Sequence, residues 1–133
     1  MWLLKKYYPL HCTAATWPFK AGIAIVLAGL LLEVFAVLSF RRKKTTINPL
    51  RPENTSTLVT DGIYTMSRNP MYLGMAIILT GVALMMGCLS PLGMPLVFCI
   101  VVTLMQIIPE ERSLSEIFGT DYDNYKNSVG RWF

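Results

Sequence analysis

The side chains of this 133-residue chain that could do chemistry lie in two short stretches. One is Ser67-Arg68-Asn69-Pro70-Met71-Tyr72, which follows an Asp61-Gly62 turn signal; the other is Gln106-Ile107-Ile108-Pro109-Glu110-Glu111-Arg112. Pro70 disfavours helix at Asn69 and suits the first turn of a helix. The backbone N–H groups of that helix start, beside Arg68, are suited to a carboxylate or another anion. Pro109 kinks or restarts a helix and puts Glu110 and Glu111 in a first turn, where the helix dipole favours carboxylates. Adjacent helix residues point about 100° apart, so only one of these glutamates can face a given pocket. Plainer roles compete with these: a headgroup anchor for Arg68, and ordinary helix-start carboxylates for Glu110 and Glu111.

Other chemistries find little footing. The lone His11 and the three cysteines, Cys12, Cys88 and Cys99, match no zinc spacing and contain no CxxC pair, so no metal is expected. A disulfide framework is equally unsupported, and the cysteines read as small apolar packing residues, with Cys12 open to thiol reagents. No glycine-rich dinucleotide loop is present. The net charge of +4 does not point to nucleic acid, because no aromatic residues interleave with the basic ones as a stacking platform.

The elements that must position these stretches are membrane helices. Hydrophobic residues make up 53% of the chain and charged ones 15%, against about 25% in soluble domains. The mean hydropathy is +0.47. The spacing predicts an all-α integral membrane protein with three transmembrane helices, at about 21–40, 72–89 and 94–108. Ser90-Pro91-Leu92-Gly93 is expected to reverse the chain between the last two. Gly22 and Gly29 on the first span, with Gly74, Gly81 and Gly87, together with Ala76, Thr80 and Ala83, on the second, would let helix backbones approach closely. Glu33 lies inside the first span, where an unpaired charge is costly; it must pair with another helix or be protonated. Leu114, Ile117, Phe118, Tyr122, Tyr125, Val129 and Trp132 recur at spacings of three or four. They predict one C-terminal amphipathic helix lying on the bilayer or closing over the site.

Positive charge sets the orientation. Arg41, Arg42, Lys43, Lys44, Arg51 and Arg68 lie between the first two spans, and Arg112, Lys126 and Arg131 follow the third; only Lys5, Lys6 and Lys20 precede the first. Loop and tail share one side, which is expected to be the cytoplasm, with the N-terminus outside. Trp2, Tyr7, Tyr8 and Trp17 suit an interfacial belt on the outer side.

These pieces in series resemble a known family. Leu58-Val59, Gly62 and Tyr64, then Arg68-Asn69-Pro70-Met71-Tyr72-Leu73-Gly74, a helical hairpin, Glu110-Glu111, Leu114, Phe118-Gly119, Tyr122, Tyr125, Val129 and Arg131-Trp132 match the order and spacing in isoprenylcysteine carboxyl methyltransferases. The resemblance covers Thr45 to Trp132. It implies a single membrane methyltransferase domain over 1–133, with residues 1–44 as N-terminal segment and first span and 45–133 as the cofactor-binding catalytic part. It also implies an S-adenosylmethionine pocket at the cytoplasmic face, formed by Thr57, Leu58, Val59, Tyr64, Asn69, Pro70, Met71, Tyr72 and Glu110, with Ser56 as a looser candidate. Arg68 and Glu110 are the catalytic candidates, and Gln106 and Arg112 the substrate-binding ones. Eukaryotic members carry His at the position of Asn69, and an Arg associated with the substrate carboxylate at the position of Gln106. A glutamine offers only neutral hydrogen bonds, so the expected acceptor is an apolar or lipid-linked molecule other than a free prenylcysteine, with amines and thiols among the candidates and O-, N- or S-methylation left open. The oligomeric state is left open. An NADPH-dependent membrane reductase of the sterol-reductase type and a non-enzymatic membrane subunit are the alternatives.

Overall fold

The computed structural model describes residues 1–8, 12, 16–42 and 57–133. His11, Ser56 and the basic residues Lys43, Lys44 and Arg51 lie outside the described residues. All regular structure among the described residues is helical: α1 (Trp2–Tyr7), α2 (Trp17–Arg42), α3 (Pro70–Met85), α4 (Gly93–Val102), α5 (Ile108–Phe118) and α6 (Thr120–Ser128). Two helices are long and apolar enough to cross a membrane, Trp17–Ser39 and Ser90–Phe118, and only 17% of each apolar window is buried. The core helix of a soluble protein would be covered by its neighbours. Here Leu31 and Phe35 on α2, and Leu96, Ile100, Leu104 and Met105 on the other helix, are left exposed. Lipid is the solvent that matches such a surface. The apolar helix between them, Pro70–Met85, has 16 residues and rises roughly 24 Å, short of the ~30 Å hydrocarbon core.

Small residues join α2 to α3 along their length. A Cβ placed on Gly81 would lie 2.7 Å from the Gly22 carbonyl oxygen and 2.9 Å from the Val26 nitrogen. One turn-pair along, a Cβ on Gly29 would lie 2.9 Å from the Gly74 carbonyl oxygen. Backbone atoms cannot swing aside as side-chain tips do, so the expected close approach is present. Glu33 projects against Gly74 on this seam and has no hydrogen-bonding or ionic partner among the described residues.

The chain reverses earlier than expected. Gly87, at φ 68°, turns it directly after α3, and Ser90–Leu92 is already a 3₁₀ turn leading into α4. Only glycine adopts that left-handed backbone without strain. Beside the turn, Cys88 forms a disulfide with Cys12, which corrects the reading of both as free packing cysteines. The cross-link ties the N-terminal segment to the α3–α4 reversal, where α1 also packs on Ser90–Leu92. Pairing two cysteines 76 residues apart requires knowing that both lie at the same end of the helix bundle.

The helix carrying Gln106 and Glu110 does not stop at Pro109. Residues Thr103–Ile107 form a π-helical turn that joins α4 to α5. Pro109 has no N–H for the Met105 carbonyl, and its ring would crowd that oxygen in an α-helix; widening the preceding turn removes the clash without ending the helix. The C-terminal stripe is likewise two helices, because Gly119, at φ 54°, breaks the chain between α5 and α6. Both halves nevertheless bury their apolar faces in one cluster. Ala36, Val59, Tyr64, Tyr122 and Tyr125 form its centre, with Leu58, Ile63, Met71, Leu114, Phe118 and Val129 packed around it. This core caps the Arg42 end of α2, away from the disulfide.

Substituting Gly81→Ala should push α2 and α3 apart and destabilise the protein by about 1–3 kcal/mol. Thermal unfolding in detergent checks this, with Gly93→Ala, which has open space around it, as the neutral comparison.

Candidate active site

The start of α3 is held by the C-terminal tail. Asn69 occupies the cap position without capping the helix through its side chain. Its side-chain amide instead donates to the Arg131 carbonyl oxygen (3.1 Å), and its backbone N–H donates to Ser67 Oγ (3.1 Å). The Arg68 backbone N–H donates to the Gly130 carbonyl oxygen at 3.0 Å. Val129, at φ −128° and ψ 132°, lets the chain leave α6 extended and run back over Ser67–Asn69.

Side-chain charge fastens the same junction. Arg68 Nη1 lies 2.9 Å from Glu111 Oε1, and the two side chains are 8% and 9% exposed. Arg131 grips the same carboxylate with two hydrogen bonds, Nε to Oε1 at 3.0 Å and Nη2 to Oε2 at 2.8 Å. One carboxylate thus joins two guanidiniums from opposite ends of the sequence. The hydrogen bond from Arg131 to Glu111 holds that guanidinium protonated above its ordinary range. Tyr122, beside Arg68, and Tyr125, whose hydroxyl donates to the Tyr64 carbonyl oxygen at 2.7 Å, complete the cap. Burial pushes the ionisation of Tyr64, Tyr122 and Tyr125 upward, so all three stay neutral hydrogen-bonding groups.

Glu110 points another way. Its Oε2 accepts a hydrogen bond from the Tyr72 hydroxyl at 3.3 Å, and the Gln106 side chain lies beside the same hydroxyl. The expected common face of Gln106 and Glu110 is therefore realised at Tyr72. Glu110 is half-buried, and no cation stands opposite it among the described residues. The adjacent glutamates differ because a helix aims them about 100° apart: Glu111 faces two guanidiniums and Glu110 faces a phenol.

The other expected site residues divide between places. Leu58, Val59, Tyr64 and Met71 belong to the apolar cap, Pro70 is fully buried, and Thr57 is exposed at the edge of the described chain. Arg112 lines a separate cleft of about 470 Å³ with Ile108, Glu111, Ser115, Lys126 and Arg131 among its neighbours. Tyr72, Gln106 and Glu110 do not line that cleft, so Arg112 and Gln106 are not brought together. Reasoning from single positions missed the clamp made by Arg68, Glu111 and Arg131. Its signal was the Arg131-Trp132 pair that closes the motif series.

Fold and site together define an all-helical membrane protein with a polar, carboxylate-bearing junction at one end of its apolar helices. The chain belongs to the phospholipid methyltransferase family, whose model matches residues 17–121. It is 31% identical over 116 residues to protein-S-isoprenylcysteine O-methyltransferase B of Arabidopsis thaliana, covering 85% of this chain and 57% of that protein. It is 30% identical over 111 residues to protein-S-isoprenylcysteine O-methyltransferase of Saccharomyces cerevisiae, covering 82% of this chain and 46% of the yeast protein. The chain thus spans about half the length of these relatives. The resemblance read from the motifs is borne out, and the reductase alternative finds no support. No solved structure matches the chain.

Replacing Glu111 with Gln should leave Arg68 buried without a counter-charge and destabilise the protein by about 3 kcal/mol or more. Arg131, about one-third exposed, is partly resolvated, so most of that loss falls on Arg68. Thermal unfolding in detergent measures it, and Glu110→Gln should cost clearly less stability.

Proposed function

We propose that the chain is an S-adenosylmethionine-dependent methyltransferase acting on an apolar or lipid-linked acceptor at the cytoplasmic face of a membrane. The observation that carries this reading is Glu110. A half-buried carboxylate facing no cation among the described residues suits a positively charged ligand. S-adenosylmethionine supplies an electrophilic methyl group on a sulfonium cation. Glu110 and the Tyr72 ring would hold it, with Thr57, Leu58, Val59, Tyr64, Asn69, Pro70 and Met71 on the adjoining surface. Family membership supports methyl transfer independently of this fit. Methyl transfer is an in-line displacement, so the protein's task is chiefly to position donor and acceptor. Arg68, enclosed by Glu111, Tyr122 and the tail, acts as a positioning residue that fixes the start of α3 rather than as an open anion site.

The topology in this reading has three spans, with α3 crossing alongside α2 and the tail cap in the cytoplasm. Two independent features support the orientation. The basic residues collect at the cap end, and the Cys12–Cys88 disulfide lies at the opposite end, as a compartment that preserves disulfides requires.

Calorimetric titration of the purified protein with S-adenosylhomocysteine tests the donor assignment. We expect Glu110→Gln and Tyr72→Ala each to weaken binding more than tenfold, about 1.4 kcal/mol or more. No binding by the wild type, or wild-type affinity in a folded Glu110→Gln protein, would remove the assignment.

Topology is tested with an impermeant maleimide on intact cells. Cys12 and Cys88 should label only after mild reduction, and Cys99, on α4, should stay unlabelled. Labelling of the reduced pair only after permeabilisation would invert the orientation.

A further inference from the structure

Tyr72 occupies a position the donor site alone does not explain. A phenol oxygen carries one proton and two lone pairs. The proton is directed to Glu110 Oε2, and the Gln106 side chain lies beside the same oxygen. A further group would meet that oxygen through its lone pairs. Gln106 lies within the apolar run that ends at Ile108, next to Leu104 and Met105, which are 61% and 75% exposed on the side where lipid would lie. Glu110 lies beyond Pro109. The three polar groups therefore lie together, running from bilayer depth toward the aqueous cap, with Tyr72 bonded to Glu110. Placing such groups at a hydrocarbon edge is costly, which marks them as functional.

Charge narrows what can approach it. Arg68 and Arg131 are closed on Glu111, and Arg112 lines the separate cleft. An acceptor carboxylate would meet the negative charge of Glu110 with no cation among the described residues placed to hold it. An acceptor bearing N–H or S–H meets a hydrogen-bond acceptor and a proton sink.

Resting on the methyltransferase reading above, we propose that Tyr72 is a catalytic residue that takes the proton of an amine or thiol acceptor and relays it to Glu110. The acceptor's lone pair forms the bond to the methyl carbon. The carbon–sulfur bond of the donor breaks, and its electron pair stays on sulfur. The acceptor's proton passes to Tyr72 Oη as the phenol's own proton passes to Glu110 Oε2. One positive and one negative charge disappear together, a change favoured where solvation is poor.

The test uses full-length wild type and Tyr72→Phe in detergent micelles. Labelled methyl transfer is followed to phosphatidylethanolamine, a long-chain alkanethiol and a farnesylcysteine analogue that presents a carboxylate, and S-adenosylhomocysteine binding is measured in parallel. We expect wild-type kcat/KM on the amine or the thiol to exceed that on the carboxylate at least tenfold. Tyr72→Phe, which keeps the ring, should bind S-adenosylhomocysteine within about threefold of wild type. Its kcat on the preferred acceptor should fall about 100-fold or more, the usual contribution of positioned proton transfer, with KM little changed. Unchanged kcat in Tyr72→Phe overturns the proposal. Joint loss of donor binding and turnover also overturns it, because the hydroxyl would then be a donor ligand. The wild-type panel decides even if the variant fails to fold: preference for the carboxylate overturns the relay while leaving the methyltransferase reading intact. A wild type that binds no S-adenosylhomocysteine overturns both.

Discussion

The cap depends on a single carboxylate. Glu111, 9% exposed at its side chain, gathers Arg68 from the start of α3 and Arg131 from the tail, and its own helix completes the junction. Removing these charges from water is expensive; the two aligned hydrogen bonds from Arg131 offset part of it, while Arg68 meets Glu111 as a close ion pair with its buried Nε and Nη1 lacking hydrogen-bond geometry. Arg131 contributes a bidentate pair, the arrangement a planar guanidinium makes best. Such a cluster adds little net stability over an apolar replacement. Its value is specificity: only one arrangement of tail, α3 and α5 satisfies all three charges. The bonds from the Arg68 backbone N–H to Gly130 and from the Asn69 side-chain amide to Arg131 accompany that arrangement.

Within the apolar part, different physics applies. Lipid tails offer no hydrophobic penalty to drive helices together, so association rests on close contact. The Gly22–Gly81 and Gly29–Gly74 approaches provide it, bringing backbone against backbone along α2 and α3. The disulfide fastens the far end and the Glu111 clamp fastens the near one. The donor-site candidates, the tail and the Tyr72 phenol all sit at the clamped end.

Much of this was legible from residue type because the governing rules are local. Long apolar runs, the Asp61-Gly62 turn and the glycines of the α2–α3 seam act through nearest neighbours, and each reappears in the structure. What was not legible depends on distant partners. Cys12 and Cys88 become a pair only once the α3–α4 reversal is placed beside the N-terminal segment. The break at Gly119 was hidden because α5 and α6 send Leu114, Phe118, Tyr122 and Tyr125 into one cap, so the three-to-four spacing runs across it undisturbed. The positive φ of Gly119 is the feature periodicity cannot detect. At the site, Gln106 and Glu110 were correctly placed on one face. The division of work between Glu110 and Glu111 needed Arg131, whose contact with Glu111 spans 20 residues.

That division shows how one helix start can serve both fold and chemistry. Two carboxylates in the same turn repel, and leaving both without counter-charge would favour protonating one of them. Two guanidiniums at Glu111 reduce that repulsion, and Glu110 keeps the Tyr72 hydroxyl as its hydrogen-bonding partner. The π-helical turn keeps Gln106 on the Tyr72 side while Pro109 passes without ending the helix, so the polar chain and the clamp are set by one rigid element. A shift of α5 that tightened the clamp would therefore also move Glu110 relative to Tyr72. Stability at Glu111 and geometry at Glu110 are coupled through a single peptide unit, which ties the fold of the cap to the chemistry proposed beside it.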